Sequence, residues 1–121
     1  MDEFKCKGDN CCGGKNLMDT AFLEEIDELR SRYGKPLFIS SAYRCPIHNS
    51  RVSKTGTDGP HTTGRACDFA VSHAESLSLL KIALDMKFTG IGINQKGGGR
   101  FIHVDNLPNG DNQPRPHLWS Y

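Results

Sequence analysis

Charge of one sign is the first thing this sequence lacks. Fifteen basic residues stand against fourteen acidic ones, interspersed along the chain, for a net charge of +1. A protein that neutralises a phosphate backbone needs a basic stripe or patch, so no nucleic-acid partner is expected. Long hydrophobic runs are missing too: no stretch approaches the roughly 18 apolar residues of a membrane span. The opening MDEFKCKGDN is charged and has no apolar leader region, so neither a membrane partner nor a signal peptide is expected, and synthesis in the cytoplasm is. Repeats and low-complexity tracts are absent. The C-x2-C rhythm of a zinc ribbon is also absent. Of the five cysteines, Cys6, Cys11 and Cys12 are spaced C-x4-C-C in an N-terminal arm (residues 1–18), which argues against a second metal site. Two readings of the arm remain open: disulfides within it or to Cys45, or reduced thiols in a reducing compartment. Cys67, next to Asp68, reads as a small buried hydrophobe.

What is present fits one domain, residues 1–121, with a single modest core. Hydrophobic residues make up 36% of the chain beside thirteen glycines and six prolines, a composition for a compact, loop-rich protein. Phe22, Leu23, Ile26, Leu29 and Tyr33 recur at helical spacing after a capping Asp19 or Thr20, and Gly34 and Pro36 end the pattern. PLFISSAY predicts a strand ending at Tyr43 and Arg44. Residues 45–60, dense in Pro, Gly, Ser and Asn, predict an irregular surface segment. ACDFAV predicts a strand, and Ser72 with Glu75 forms an S-x-x-E capping box for a helix to about Met86, with Leu77, Leu80, Ala83 and Leu84 inward. TGIGINQ and RFIHVDN form a hairpin across KGGG, and the tail predicts a loop with Trp119 and Tyr121 closing the core. The order implies an α+β fold with a small, mostly antiparallel sheet packed with two main helices.

The chemistry centres on GPHTTGRACDF. Two ligands of one zinc lie about 2.0–2.2 Å from the ion, which brings their donor atoms within about 4 Å of each other. Seven residues separate the Cα atoms by about 23 Å when extended and about 10 Å when helical. His61 and Asp68 therefore meet only if the chain doubles back, and Gly64 supplies the backbone freedom for that reversal. A catalytic zinc takes three protein ligands and keeps one position open. In RFIHVDN the strand period sets Phe101, His103 and Asp105 on one face and Ile102 and Val104 on the other, so His103 stands on a polar face where a ligand could meet a cleft.

Together, SSAYRCPIHN, HTTGRACDF and RFIHVDN resemble the motif blocks of the M15 zinc peptidases, the D-alanyl-D-alanine carboxypeptidase and peptidoglycan endopeptidase group. The closing RPHLWSY is similar to the C-terminal segment of short phage and bacterial members. The resemblance, from Ser40 to Tyr121, implies a hedgehog/D-Ala-D-Ala peptidase-like fold. It implies one zinc per chain held by His61, Asp68 and His103, with Arg44 contacting substrate or stabilising the oxyanion. The substrate it implies is a peptidoglycan peptide cut beside a D-amino acid, by a monomeric D,D-carboxypeptidase or endopeptidase of a lysis system or an exported enzyme. One departure stands out: Arg100 occupies the position three before the last zinc histidine, where several members carry a general base, and an arginine accepts no proton from water. Asp105, as base or as a carboxylate orienting His103, and His117 are the remaining catalytic candidates. The alternative is a zinc-containing, non-catalytic peptidoglycan-binding or structural module. His48 and His73 read as surface histidines, and Ser40 and Ser41 lack the partners of a serine triad.

Overall fold

The computed structural model describes residues 2–121. It is an α+β fold in which one five-stranded sheet separates two regions of different character. The strands are β1 (Ile39–Ser41), β2 (Ala66–Phe69), β3 (Gly90–Asn94), β4 (Phe101–Asp105) and β5 (His117–Ser120), and their spatial order is β1-β2-β4-β3-β5. All neighbours are antiparallel except β3 and β5, which run parallel. The helices are α1 (Thr20–Tyr33), α2 (Pro46–Val52) and α3 (His73–Asp85).

Helix α1 follows its sequence signals closely. The Asp19 carboxylate accepts from the Phe22 N–H at 2.9 Å, satisfying one of the open amides of the first turn. Gly34 takes the left-handed conformation (φ 72°) and donates to the Arg30 carbonyl, closing the end. The stripe Phe22, Ile26, Leu29 and Tyr33 is buried against the sheet. From the sheet, alternation sends Cys67, Phe69, Ile102 and Val104 into that same core.

Four expectations need correction. The β1 strand is shorter than PLFISSAY suggested, because Ala42 and Tyr43 leave the sheet: the Ala42 carbonyl accepts from His61 Nδ1 and the Tyr43 N–H donates to Phe4 O. Within the segment read as irregular, residues 46–52 form α2, with Pro46 in its first turn and Cys45 as its cap. Its one buried residue is Asn49, so it has no apolar stripe to reveal it. Helix α3 buries Ser76, Leu79 and Ala83, whereas Leu77 and Leu84 are 71% and 56% exposed. Its leucines lie on the exposed side as well as the buried one, so periodicity alone does not select a face. The Ser76 hydroxyl donates to Gln95, and Glu75 accepts from Tyr33 rather than completing a capping box with Ser72. The tail contains β5, a mostly exposed edge strand continued by Tyr121 N–H donating to Ile93 O. Pro114 and Pro116 just before it had marked the segment as loop.

The reversal at Gly64 is present: Pro60–Thr63 forms a short 3-10 turn, and Gly64 follows at φ 75°. A Cβ there would also collide with the Leu17 carbonyl. Gly64→Ala is expected to destabilise the fold by more than about 1 kcal/mol, through strain as well as that collision. Urea unfolding checks this: an unchanged midpoint would mean the turn relaxes without cost.

Candidate metal centre

The site face of the sheet is built by cross-strand register. Asp68 on β2 pairs with His103 on β4, His103 pairs with Gly92 on β3, and Gly92 pairs with Trp119 on β5. Cross-strand partners hold their Cβ atoms about 4.5–5.5 Å apart, so Asp68 and His103 meet through strand pairing alone. His61 arrives from the 3-10 turn. Its carbonyl accepts from the Arg44 N–H at 3.1 Å, and its Nδ1 donates to the Ala42 carbonyl at 2.6 Å.

The three side chains converge on one point. Asp68 Oδ1 lies 3.2 Å from His61 Nε2 and 2.9 Å from His103 Nδ1. The outward nitrogen of each ring is already engaged, His61 Nδ1 by the Ala42 carbonyl and His103 Nε2 by Asp105 Oδ2 at 2.7 Å. When those outward nitrogens carry the protons, the inward nitrogens turn lone pairs toward a carboxylate. Two lone pairs and an anion facing one another in a buried site call for a cation, and the donor set of two imidazoles and a carboxylate suits zinc. One donor atom from each of His61, Asp68 and His103 lies within 4.8 Å of the other two.

His103 is 1% exposed and Asp105 0%, so the polar face of β4 is covered rather than open to solvent as its alternation suggested. The cover comes from the tail: Trp119 packs 5.1 Å from the His103 ring, and Arg115 forks onto Asp105 with bonds of 2.9 and 2.8 Å to its two oxygens. Burial pushes the Asp105 carboxyl up, but the hydrogen bonds from His103 and Arg115 outweigh it and bring it down to about 2. Its contribution to stability is therefore complete above the ordinary carboxylate value near 4 and lost as pH falls toward about 2. Burial likewise raises Asp68, and the adjoining His61 and His103 more than reverse it, holding it well below the usual carboxylate range. For His103 burial acts downward, and the bonds to Asp105 and Asp68 carry it above the ordinary histidine value.

In front of the ligands opens a cleft of about 860 Å³. Arg44 lies in it, held by Ser41 Oγ at 3.2 Å and Asn49 Oδ1 at 3.1 Å, with Nη2 3.8 Å from Asp68 Oδ2. Phe101, Trp119 and Tyr121 form its aromatic wall. Trp119 and Tyr121 are thus cleft residues rather than core-closing aromatics; Tyr121 is 54% exposed. Asp105 lies behind His103 and not in the cleft. His117 is exposed, stacks on Trp119 at 5.5 Å and faces a neighbouring cleft. Arg100 points elsewhere, bonded to the Gly97 carbonyl and 3.4 Å from His73 Nε2.

Two functional neighbours escaped the sequence reading. Asn49 uses its oxygen on Arg44 and its amide on Thr55 Oγ1 and the Gly56 carbonyl, tying the guanidinium to the cleft rim. Its only sequence signal was its place at the end of SSAYRCPIHN. Arg115, the partner of Asp105, sits in a Pro-flanked tail and gave none.

A buried His–Asp–His set opening on an aromatic cleft is the donor arrangement of a metal centre. The chain belongs to the Peptidase M15 family, whose model matches residues 1–105, and it is therefore a peptidase of a zinc-dependent kind. No curated protein and no solved structure matches it.

A zinc ligand needs its second ring nitrogen held, and loss of such a partner typically weakens metal binding about 10–100-fold. Asp105→Asn is expected to do so by competition with a chromophoric chelator; unchanged affinity would show that Asp105 does not set the His103 ring. Arg115→Ala strands a buried carboxylate and is expected to destabilise the protein by about 3–5 kcal/mol, read from denaturant unfolding, with no change arguing against the pair.

Proposed function

We propose that this peptidase hydrolyses a peptide bond beside a D-amino acid in bacterial peptidoglycan, as a D,D-carboxypeptidase or endopeptidase. The observation carrying this reading is Arg44, a guanidinium fixed at the edge of the His61, Asp68 and His103 set inside an aromatic-walled cleft. Peptidoglycan stem peptides are short and carry carboxylates, and a planar guanidinium grips a carboxylate or a developing oxyanion through paired N–H donors. Zinc would be held by His61, Asp68 and His103, and when bound would supply Lewis acidity that polarises a scissile carbonyl and lowers the pKa of water toward about 7.

The chain's own groups do the rest. Asn49 and Ser41 keep Arg44 in place, so its orientation costs nothing when substrate arrives. Phe101 and Trp119 flank the reacting bond and limit water. Asp105 acts as a positioning residue, holding the proton at His103 Nε2 so that Nδ1 stays free to ligate. His117 is the side chain we assign to proton transfer; it stacks on Trp119, which borders both the ligand cleft and the neighbouring cleft that His117 lines. The wall is reached through lysis or export.

A second reading, a zinc-holding module that binds peptidoglycan without cutting it, rests on one observation. Among the described residues lining the cleft, Asp68 has the only side-chain carboxylate, and Arg100 is turned away toward His73.

One assay separates them. Zinc-loaded protein and its His61→Ala variant are incubated with purified peptidoglycan and soluble muropeptides, and the products are weighed by mass spectrometry. A defined fragment from the wild type alone is expected, its mass naming the bond. Binding with no fragment selects the module. Within the enzyme reading, Arg44→Ala is expected to raise KM, and His117→Ala to lower kcat at unchanged zinc content. An unaltered kcat removes His117 from the reaction.

A further inference from the structure

The N-terminal arm has little to hold it down. In residues 2–19 only Phe4 and Cys6 are buried, and its one regular element is a three-residue 3-10 turn. Yet it folds back along the edge strand β1, with Cys6 N–H donating to Lys15 O at 2.8 Å, Tyr43 N–H donating to Phe4 O at 3.0 Å and Lys7 Nζ donating to the Ile39 and Ser40 carbonyls. The place where it folds is occupied by sulfur. Cys6, Cys11 and Cys12 meet Cys45, which comes from the far end of the β1–α2 connection, and all four Sγ atoms lie within 4.8 Å of one another.

We propose that Cys6, Cys11, Cys12 and Cys45 bind a second zinc ion, a structural tetrathiolate centre distinct from the His61, Asp68 and His103 set.

Geometry favours an ion over cross-links. Zinc–sulfur bonds of about 2.3 Å in a tetrahedron place the sulfurs about 3.8 Å apart. The separations Cys6–Cys11 and Cys11–Cys12 are both 3.9 Å. A disulfide needs about 2.05 Å, and all five cysteines are free. Two disulfides would moreover bring sulfurs together in pairs, whereas here every sulfur is close to the other three.

The surroundings match as well. Backbone amides point at three of the sulfurs at 3.4 Å: Lys15 N–H at Cys12, His48 N–H at Cys45 and Cys45 N–H at Cys6. Such donors stabilise thiolate character and orient ligands. Gly13 and Gly14 take left-handed conformations (φ 72° and 80°), wrapping the chain tightly after Cys12. Lys5, Lys7 and Lys15 flank the cysteines in the sequence and offset the net negative charge left when four thiols release their protons to solvent and surround one dication. The fourth ligand, Cys45, lies 33 residues beyond Cys12 in sequence, which is why C-x4-C-C looked incomplete.

Cys45 caps α2, the helix that carries Asn49 onto Arg44. The second ion thus pins the arm to the corner that positions the guanidinium of the first site.

The test is metal stoichiometry with a spectroscopic label. Protein made under reducing conditions and purified without chelator is analysed for zinc as wild type, as His61→Ala and as a Cys11→Ser/Cys12→Ser double variant, which alters the two less buried ligands. Two zinc equivalents are expected in the wild type and one in each variant. Cobalt(II) exchange adds the identity of the ligands: sulfur-to-cobalt charge-transfer absorption in the near ultraviolet should persist in His61→Ala and vanish in the cysteine variant. If the cysteine variant does not fold, His61→Ala alone decides through its remaining zinc and that absorption. A His61→Ala protein without zinc, cobalt binding without the sulfur band, or disulfides found by thiol titration of denatured, unreduced wild type would each overturn the proposal.

Discussion

One imidazole, that of His103, is gripped between two carboxylates, and the placement of everything around the site follows from that grip. Asp105 accepts the hydrogen bond from Nε2–H and Asp68 faces Nδ1, so the ring has a single useful orientation. Moving a carboxylate such as Asp105 out of water costs several kcal/mol unless it is well paired. The pairing comes from Arg115, ten residues beyond the family match, which ends at Asp105. The tail is therefore part of the site's electrostatics, and β5 exists to bring it there.

The glycines of β3 are the counterpart of that arrangement. Gly92 lies between His103 and Trp119 in the cross-strand row, and a Cβ on it would fall 2.6 Å from the indole. Gly90 similarly lies against Asp105, where a methyl group would collide with the carboxylate. A strand interior normally loses stability to glycine. Here the missing side chains let the aromatic wall and the buried carboxylate approach the sheet closely enough to enclose His103. The opposite face of the same sheet carries the hydrophobic core with α1 and α3, so one sheet separates the part that holds the fold together from the part that does chemistry.

What could be read from the sequence, and what could not, divides by range. The helix from Thr20 to Tyr33 carries its cap, stripe and stop within a few residues, and local physics suffices for it. The Gly64 reversal and the hairpin around KGGG are local too, but His61, Asp68 and His103 were grouped through the order of the M15-like motif blocks, which local physics permits and does not itself select. The short helix at Pro46–Val52 has no apolar stripe because its buried residue is an asparagine committed to Arg44. Arg115 and Cys45 act on groups with which they share no sequence pattern, and only the folded chain brings them together. The face of α3 failed for a different reason: its leucines lie on the exposed side as well as the buried one, so periodicity has little contrast to work with.

The central claim is that His103 ligates through Nδ1 because Asp105 holds Nε2. Anomalous diffraction at the zinc edge, from crystals of the zinc-loaded protein, tests it most directly. The account predicts a peak bounded by His61 Nε2, an Asp68 oxygen and His103 Nδ1, with the His103–Asp105 hydrogen bond intact. A peak on His103 Nε2, or none among these three residues, would contradict it.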